Sequence, residues 1–222
     1  MTDMNPECIA PNATSTDAVA PAAKPKKRFE SAQPVLEKLF ELYPQLFGER
    51  FLPLKLGVFQ ELLAAHPDVF KRDQLKTALG VHTRSTRYLQ SVAAGMPRCD
   101  LSGQTVEPVA PEHVFLSILE LHRRRQARTA DDLTPKLCGQ LGRAYVQSGL
   151  SRQDYLLCIG TPDAATQSIL EEAMAEVDLQ RARRSALLKA FHASGQTEQV
   201  FADTLGMDVQ AVRSALKLGS AG

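Results

Sequence analysis

Lys55, Arg72, Lys76, Arg84, Arg87 and Arg98 are the side chains of this sequence whose type and spacing suggest chemistry, and Tyr88 stands beside Arg87. Arg72 and Lys76 lie four residues apart and Arg84 and Arg87 three, so each pair shares a face if its segment is helical. Thr83 or Ser85 can cap the helix that opens with Thr86-Arg87-Tyr88, leaving amide donors at a positive dipole end. Cationic groups converging with an aromatic stacking surface and a helix N-terminus would suit a nucleic-acid backbone with an unstacked end. The same residues are equally the pattern of scattered surface charge around a half-buried tyrosine. Spacing alone does not choose between the two.

Catalytic chemistry is poorly supplied. His66, His82, His113, His122 and His192 form no HExxH or other metal spacing, and neither a phosphate-binding glycine loop nor a GxSxG elbow is present. Cys8, Cys99, Cys138 and Cys158 are dispersed without a CxxC pair, which predicts free thiols and no zinc site. Cys138 and Cys158 read as small core residues. Asp100 is expected to orient Arg98 or a hairpin turn and not to act as a base. We therefore expect no enzyme, no cofactor and no metal.

The elements that would position the cations can be read around them. The chain has 222 residues, 44% of them apolar and 23% charged, which is ordinary for one or two globular domains. No apolar run approaches the roughly 18 residues of a membrane span, and the N-terminus lacks the apolar core of a secretory signal. A cytoplasmic protein without a membrane partner is expected. Charge is unevenly spread: residues 24–128 carry 17 Lys/Arg against 11 Asp/Glu, whereas residues 1–23 have no base and three acids, and residues 129–222 have 9 bases against 11 acids. A basic middle between acidic flanks is a signal, weak by itself, for a polyanion-binding domain.

Residues 1–28 read as a disordered arm ending in Lys24, Lys26, Lys27 and Arg28. From Ser31 the spacing of Val35, Leu36, Leu39, Phe40 and Tyr43 predicts a helix stopped by Pro44. A loop framing Lys55 between Pro53 and Gly57 follows, then a helix carrying Val58, Phe59, Leu62 and Leu63. A third helix from Lys71-Arg72-Asp73 is expected to close at Gly80, and a fourth opens at Thr83–Leu89. Arg98–Val106 reads as a hairpin turning at Ser102-Gly103, and Pro111 starts a helix that runs into Arg123–Arg128. The fold class expected is mainly α: a compact domain over residues 29–128 with one small β-hairpin, then an all-α region over 129–222, with Thr129–Asp132 as linker.

The second region contains a repeat. Residues 144–170 lie over 190–216 without gaps at an offset of 46, with eight of 27 positions identical, among them Ser148/Ser194, Gly149/Gly195 and Gly160/Gly206. Each copy reads helix, Ser-Gly turn, helix, Gly turn, helix, joined by a long helix. The second copy has the cadence of a helix-turn-helix whose last helix offers Gln210, Arg213, Ser214 and Lys217. Its acidic surroundings weaken the electrostatic attraction expected of a DNA reader. A protein-interaction or packing module is the better expectation.

The runs Leu54-Lys55-Leu56-Gly57-Val58-Phe59-Gln60, His82-Thr83-Arg84-Ser85-Thr86-Arg87-Tyr88-Leu89 and Arg98-Cys99-Asp100-Leu101-Ser102-Gly103, in that order, closely resemble the ProQ/FinO family of bacterial RNA chaperones. The resemblance covers about residues 31–126. It implies a mostly helical domain whose concave basic face binds the lower stem of a terminator hairpin and its single-stranded 3′ end, without catalysis. On the family's pattern Lys55, Arg72, Lys76, Arg87, Tyr88 and Arg98 would be RNA contacts, and Thr83, Arg84 and Ser85 would cradle the 3′ terminus. Leu52, Gly80, Thr86 and Ala93 depart from that pattern, which would shift weight onto the arm and the Arg123–Arg128 cluster. The partners implied are structured RNAs: terminator hairpins, small RNAs and mRNA 3′ ends. The C-terminal repeats lie outside the resemblance, and a DNA-binding role or a protein partner or self-association through 129–222 stays open for them. The central expectation is a single hollow in which the cations surround Tyr88.

Overall fold

A computed structural model describes residues 25–219, with side chains from 29 to 217. The expected arm, with Cys8 and Lys24, lies outside the described residues up to position 24. The first helix, α1 (Pro25–Leu42), begins inside the segment assigned to the arm and continues through Pro34, so residues 25–28 are helical. It stops at Tyr43, because the residue before a proline is steered out of helical geometry, and a single turn, α2 (Pro44–Phe47), follows. Leu36, Leu39, Leu46 and Phe47 point into the core.

Three short helices surround the expected cations: α3 (Val58–Ala65), α4 (Arg72–Thr83) and α5 (Thr86–Ala93). Here one expectation fails and one choice is decided. Gly80 does not end α4; it has no left-handed φ, and the helix carries on to Thr83. The continued turn carries His82 in among the rings of Phe47, Phe51 and Tyr88. Thr83 is not a cap of α5 but the last residue of α4, its hydroxyl donating back to the Leu79 carbonyl. Ser85 is the cap: its Oγ accepts the Tyr88 amide.

The hairpin pairs β1 (Arg98–Cys99) with β2 (Thr105–Glu107), antiparallel, in the register Arg98↔Glu107 and Cys99↔Thr105. Asp100 shapes its turn by accepting from the Ser102 amide and hydroxyl and the Gln104 amide. These bonds and the Lys55 ammonium hold its carboxyl below the usual range, and Arg98 is not its partner. Leu54 bridges Cys99 on the other side, with Lys55 N–H donating to Cys99 and Cys99 N–H to Pro53. This bridge fixes Lys55 beside Arg98.

Helix α6 (Pro111–Gln126) packs on α5, and α7 (Thr134–Ser148) packs on α6. The connection between them is no free linker: the Gln126 amide donates to the Asp131 carbonyl and accepts the Leu133 amide. Helices α8 (Arg152–Ile159) and α9 (Ala164–Ser194) complete the first copy of the repeat, and α10 (Glu198–Leu205) and α11 (Val209–Gly219) complete the second. One apolar core extends from Ala32 to Met174, across the expected boundary at residue 128. A second, small core gathers Phe201, Ala202 and Val212 against Leu187, Phe191, Val209 and Leu216.

The two copies are built alike. Ser148 Oγ donates to the Tyr145 carbonyl and accepts the Leu150 amide; Ser194 Oγ does the same with Phe191 and Gln196. Gly149 and Gly195 follow at φ 66° and 61°, the left-handed conformation that stops a helix and favours glycine. Ser151 and Thr197 then cap the next helix by accepting the amide three residues on. The Tyr145–Tyr155 ring pair, centroids 5.4 Å apart, has its counterpart in Phe191–Phe201 at 5.3 Å.

Candidate nucleic-acid interface

Tyr88 is the hub of the region, but as a buried strut. Its side chain is 7% exposed and its hydroxyl accepts the Leu54 amide at 3.1 Å. Burial raises the phenol's pKa. The expected stacking surface is therefore not Tyr88: an α-helix turns about 100° per residue, so a buried Tyr88 puts its neighbour Arg87 on another side of α5.

Arg98 is largely spent inside the fold. Its Nη1 donates to the Leu54 carbonyl at 2.8 Å, its Nη2 lies 3.2 Å from His113 Nδ1, and Glu107 is 3.8 Å from its Nε. The side chain is only 12% exposed. Lys55 is half-exposed and pairs with Glu61, whose hydrogen bond and charge raise the ammonium's pKa. Thr83, Tyr88 and Arg98 line one cleft of about 340 Å³ between α4, α5, β1 and α6, closed by His113, Leu116, Ser117 and Glu120.

The exposed cations lie elsewhere. Arg87 sits with its guanidinium 5.6 Å from the centre of the Phe51 ring, in a shallow depression shared with Arg50, Gln90 and Met96. Arg72 lies 5.5 Å over the Phe59 ring, and Lys76 is exposed one turn further along α4. Arg84 is exposed between α4 and α5, and its carbonyl accepts from Arg124 of α6 at 2.9 Å. Thus Lys55, Tyr88 and Arg98 are brought together around Leu54, while Arg87, Arg72 and Lys76 do not enter that cleft. The cations fall into two banks in this sense only: Lys55 and Arg98 beside Leu54, and the exposed Arg72, Lys76, Arg84 and Arg87, none of which lines the cleft at Tyr88.

A chain of contacts joins the banks. Arg87 covers Phe51, Phe51 stacks on His82 at 4.8 Å, His82 meets the Tyr88 ring, and Tyr88 and Arg98 both hold Leu54. His82 is 2% exposed, neither ring nitrogen has a hydrogen-bond partner, and burial lowers its pKa to about 4. It serves as a neutral ring in an aromatic layer. Sequence reading missed Phe51, His82 and His113 in these positions, since nothing in their local spacing marks them. Arg124 carried a signal: Glu120 stands four residues before it and three before Arg123, and these two pull the Glu120 carboxyl down to about 2. Arg124 thereby braces the α4–α5 turn, so the Arg123–Arg128 cluster is partly structural.

In the second repeat, Arg213 of the expected reading helix pairs with Glu198 at 2.7 Å. Among the described residues no group of His, Cys, Asp and Glu could hold a metal, and no helix is long and apolar enough to cross a membrane.

The fold and these banks define a helical, hairpin-bearing domain with its exposed bases on α4 and α5. Residues 29–134, a little under half of the chain, match the model of the ProQ/FINO family. It is similar to the RNA chaperone ProQ of Shewanella frigidimarina, 38% identical over 109 residues, which are 46% of this chain and 53% of that protein. The RNA chaperone ProQ of Shewanella oneidensis is 42% identical over 85 residues, 36% of this chain and 39% of that protein. The chain thus spans about half the length, or less, of these curated relatives. A FinO-like RNA chaperone of Neisseria meningitidis, known as a crystal structure, is 30% identical, with 40% of this chain and 90% of that one aligned at a TM-score of 0.36. Residues 135–222 lie beyond the family match.

Proposed function

We propose that this protein is a non-catalytic RNA-binding regulator, an RNA chaperone that grips terminator-type hairpins and the 3′ ends of small RNAs and mRNAs. The observation that carries the reading is the family match over residues 29–134 combined with the exposed cations of α4 and α5 inside it. Lys55, Arg72, Lys76, Arg84 and Arg87 are accessible for phosphates, and such contacts read the shape of an A-form stem, not its sequence. Arg87, oriented by Phe51, also offers a guanidinium plane on which an unstacked base can lie. Arg98 and Tyr88 act mainly by holding Leu54, Ser85 by capping α5, and Thr83 by its bond to Leu79 at the end of α4.

Crosslinking in cells with sequencing of the RNA ends tests the class. Enrichment at terminator hairpins and 3′ ends is expected; an even spread over transcripts, or recovery of DNA alone, would refute it. In vitro, a hairpin shorn of its 3′ tail should bind more weakly than the tailed one.

A further inference from the structure

Helix α9 carries charge that no ion pair among the described residues neutralises, although Glu171 accepts from Gln167 and Glu176 from Gln180. Glu171, Glu172 and Glu176 are exposed on its first half and Arg183 and Lys189 on its second, and among the described residues no ion pair engages any of them. Asp178 and Arg181, near the middle, do pair with each other, and Asp178 also with Arg152. The helix macrodipole does not account for this sorting, because its influence fades within the first and last turns. Glu176 and Arg183 lie several turns from either end of a 31-residue helix.

The face between these charges has no partner among the described residues. Leu170, Ala173, Met174 and Val177 turn α9 towards the main core. About half a turn away, Ala175, Leu179, Ala182 and Ala186 recur at spacings of four, three and four residues, and all are exposed, Leu179 at 45%. This is the rhythm of a helix-pairing seam.

We propose that α9 is a self-association helix, pairing antiparallel with α9 of a second copy about a two-fold axis near Gln180. Charge complementarity selects the occupant and the direction. In that register Leu179 of one copy lies by Ala182 of the other, and Ala175 by Ala186. Glu176 then faces Arg183 on one flank and Glu171 faces Lys189 on the other, and the axis repeats each pair. A parallel pairing would set acids on acids and bases on bases. The small side chains of the seam let the two backbones approach closely. The proposal does not depend on RNA binding.

Sedimentation of the full chain, freed of RNA, provides the test. The wild type should sediment as a dimer of 24.3 kDa chains at low salt and weaken as salt rises. The double variant Glu171→Lys/Glu176→Arg and the double variant Arg183→Glu/Lys189→Glu should each be monomeric, with unchanged helical circular dichroism. Mixed in equal amounts, they should recover a dimer, because each then supplies the sign the other lacks. A wild type that stays monomeric at every concentration overturns the proposal, and so do dimers formed by either swapped variant alone. Swapped variants that remain apart when mixed overturn the antiparallel register.

Discussion

The two copies of the repeat use the same local instructions and meet opposite fates. Both stop a helix with a serine-glycine turn, restart it with a Ser or Thr cap and cross two aromatic rings at nearly the same separation. In the first copy Tyr145 and Tyr155 are sealed, at 2% and 0% exposure, and Ile159 is buried with them. In the second, Phe201 is buried, at 5% exposure, but Phe191 is only half-buried and Leu205, the counterpart of Ile159, is 48% exposed. The difference lies outside the repeat. Helix α6 packs on α7 and α8 of the first copy, and the second copy has no corresponding neighbour among the described residues. Helix boundaries here are set by a few local residues; burial, and the stability that comes with it, is set by what lies alongside.

The largest consequence concerns the rings. Tyr155→Ala should cost about 3–5 kcal/mol of global stability, since it empties a sealed site in the shared core. Phe201→Ala should loosen α10 and α11 while leaving the main thermal transition nearly in place. Calorimetry combined with hydrogen exchange separates the two, and equal losses in the main transition would break the comparison.

Acid should divide the molecule along the same line. His82 has its pKa lowered by burial from 6.5 to about 4. Between these values the unfolded chain takes up a proton that the folded chain refuses. The stability of the main core is therefore complete above about pH 6.5 and declines as pH falls towards 4, by about 3 kcal/mol. Amide exchange should quicken in α1 and α4 over that range, and His82→Leu should flatten the pH dependence. A slope unchanged in the variant would assign the acid sensitivity to other groups.

The smallest effect sharpens the local half of the comparison. Gly149→Ala and Gly195→Ala each force a side chain into left-handed backbone with open space around it, at about 1 kcal/mol. The cost should be the same for the two turns but visible in global melting only for Gly149. At Gly195 it should show as faster exchange in α10 alone.

Much of this architecture could be read from residue order. The Ser-Gly turns, the hairpin at Ser102-Gly103 and the Ser85 cap are all coded by neighbours within a few positions, and all are found where the pattern puts them. Gly80 misled because a glycine ends a helix through the left-handed conformation, which Gly80 does not adopt, and tertiary packing overrides its weak helix propensity. The cationic residue types of the candidate site were legible, but their directions were not. Arg87 and Tyr88 are consecutive on α5 and cannot share a face, so the folding of Tyr88 into the core carried Arg87 to Phe51. That Arg98 would be consumed by Leu54, His113 and Glu107 depends on segments 15 to 44 residues away for its two hydrogen bonds, beyond any local signal.

The direct test of RNA recognition by the exposed bank is a fluorescence-anisotropy titration of a 3′-tailed terminator hairpin at several salt concentrations. Arg84→Ala/Arg87→Ala should melt like the wild type, bind markedly more weakly, and show a salt slope shallower by about one unit for each phosphate no longer neutralised. Affinity and slope equal to those of the wild type would contradict the account.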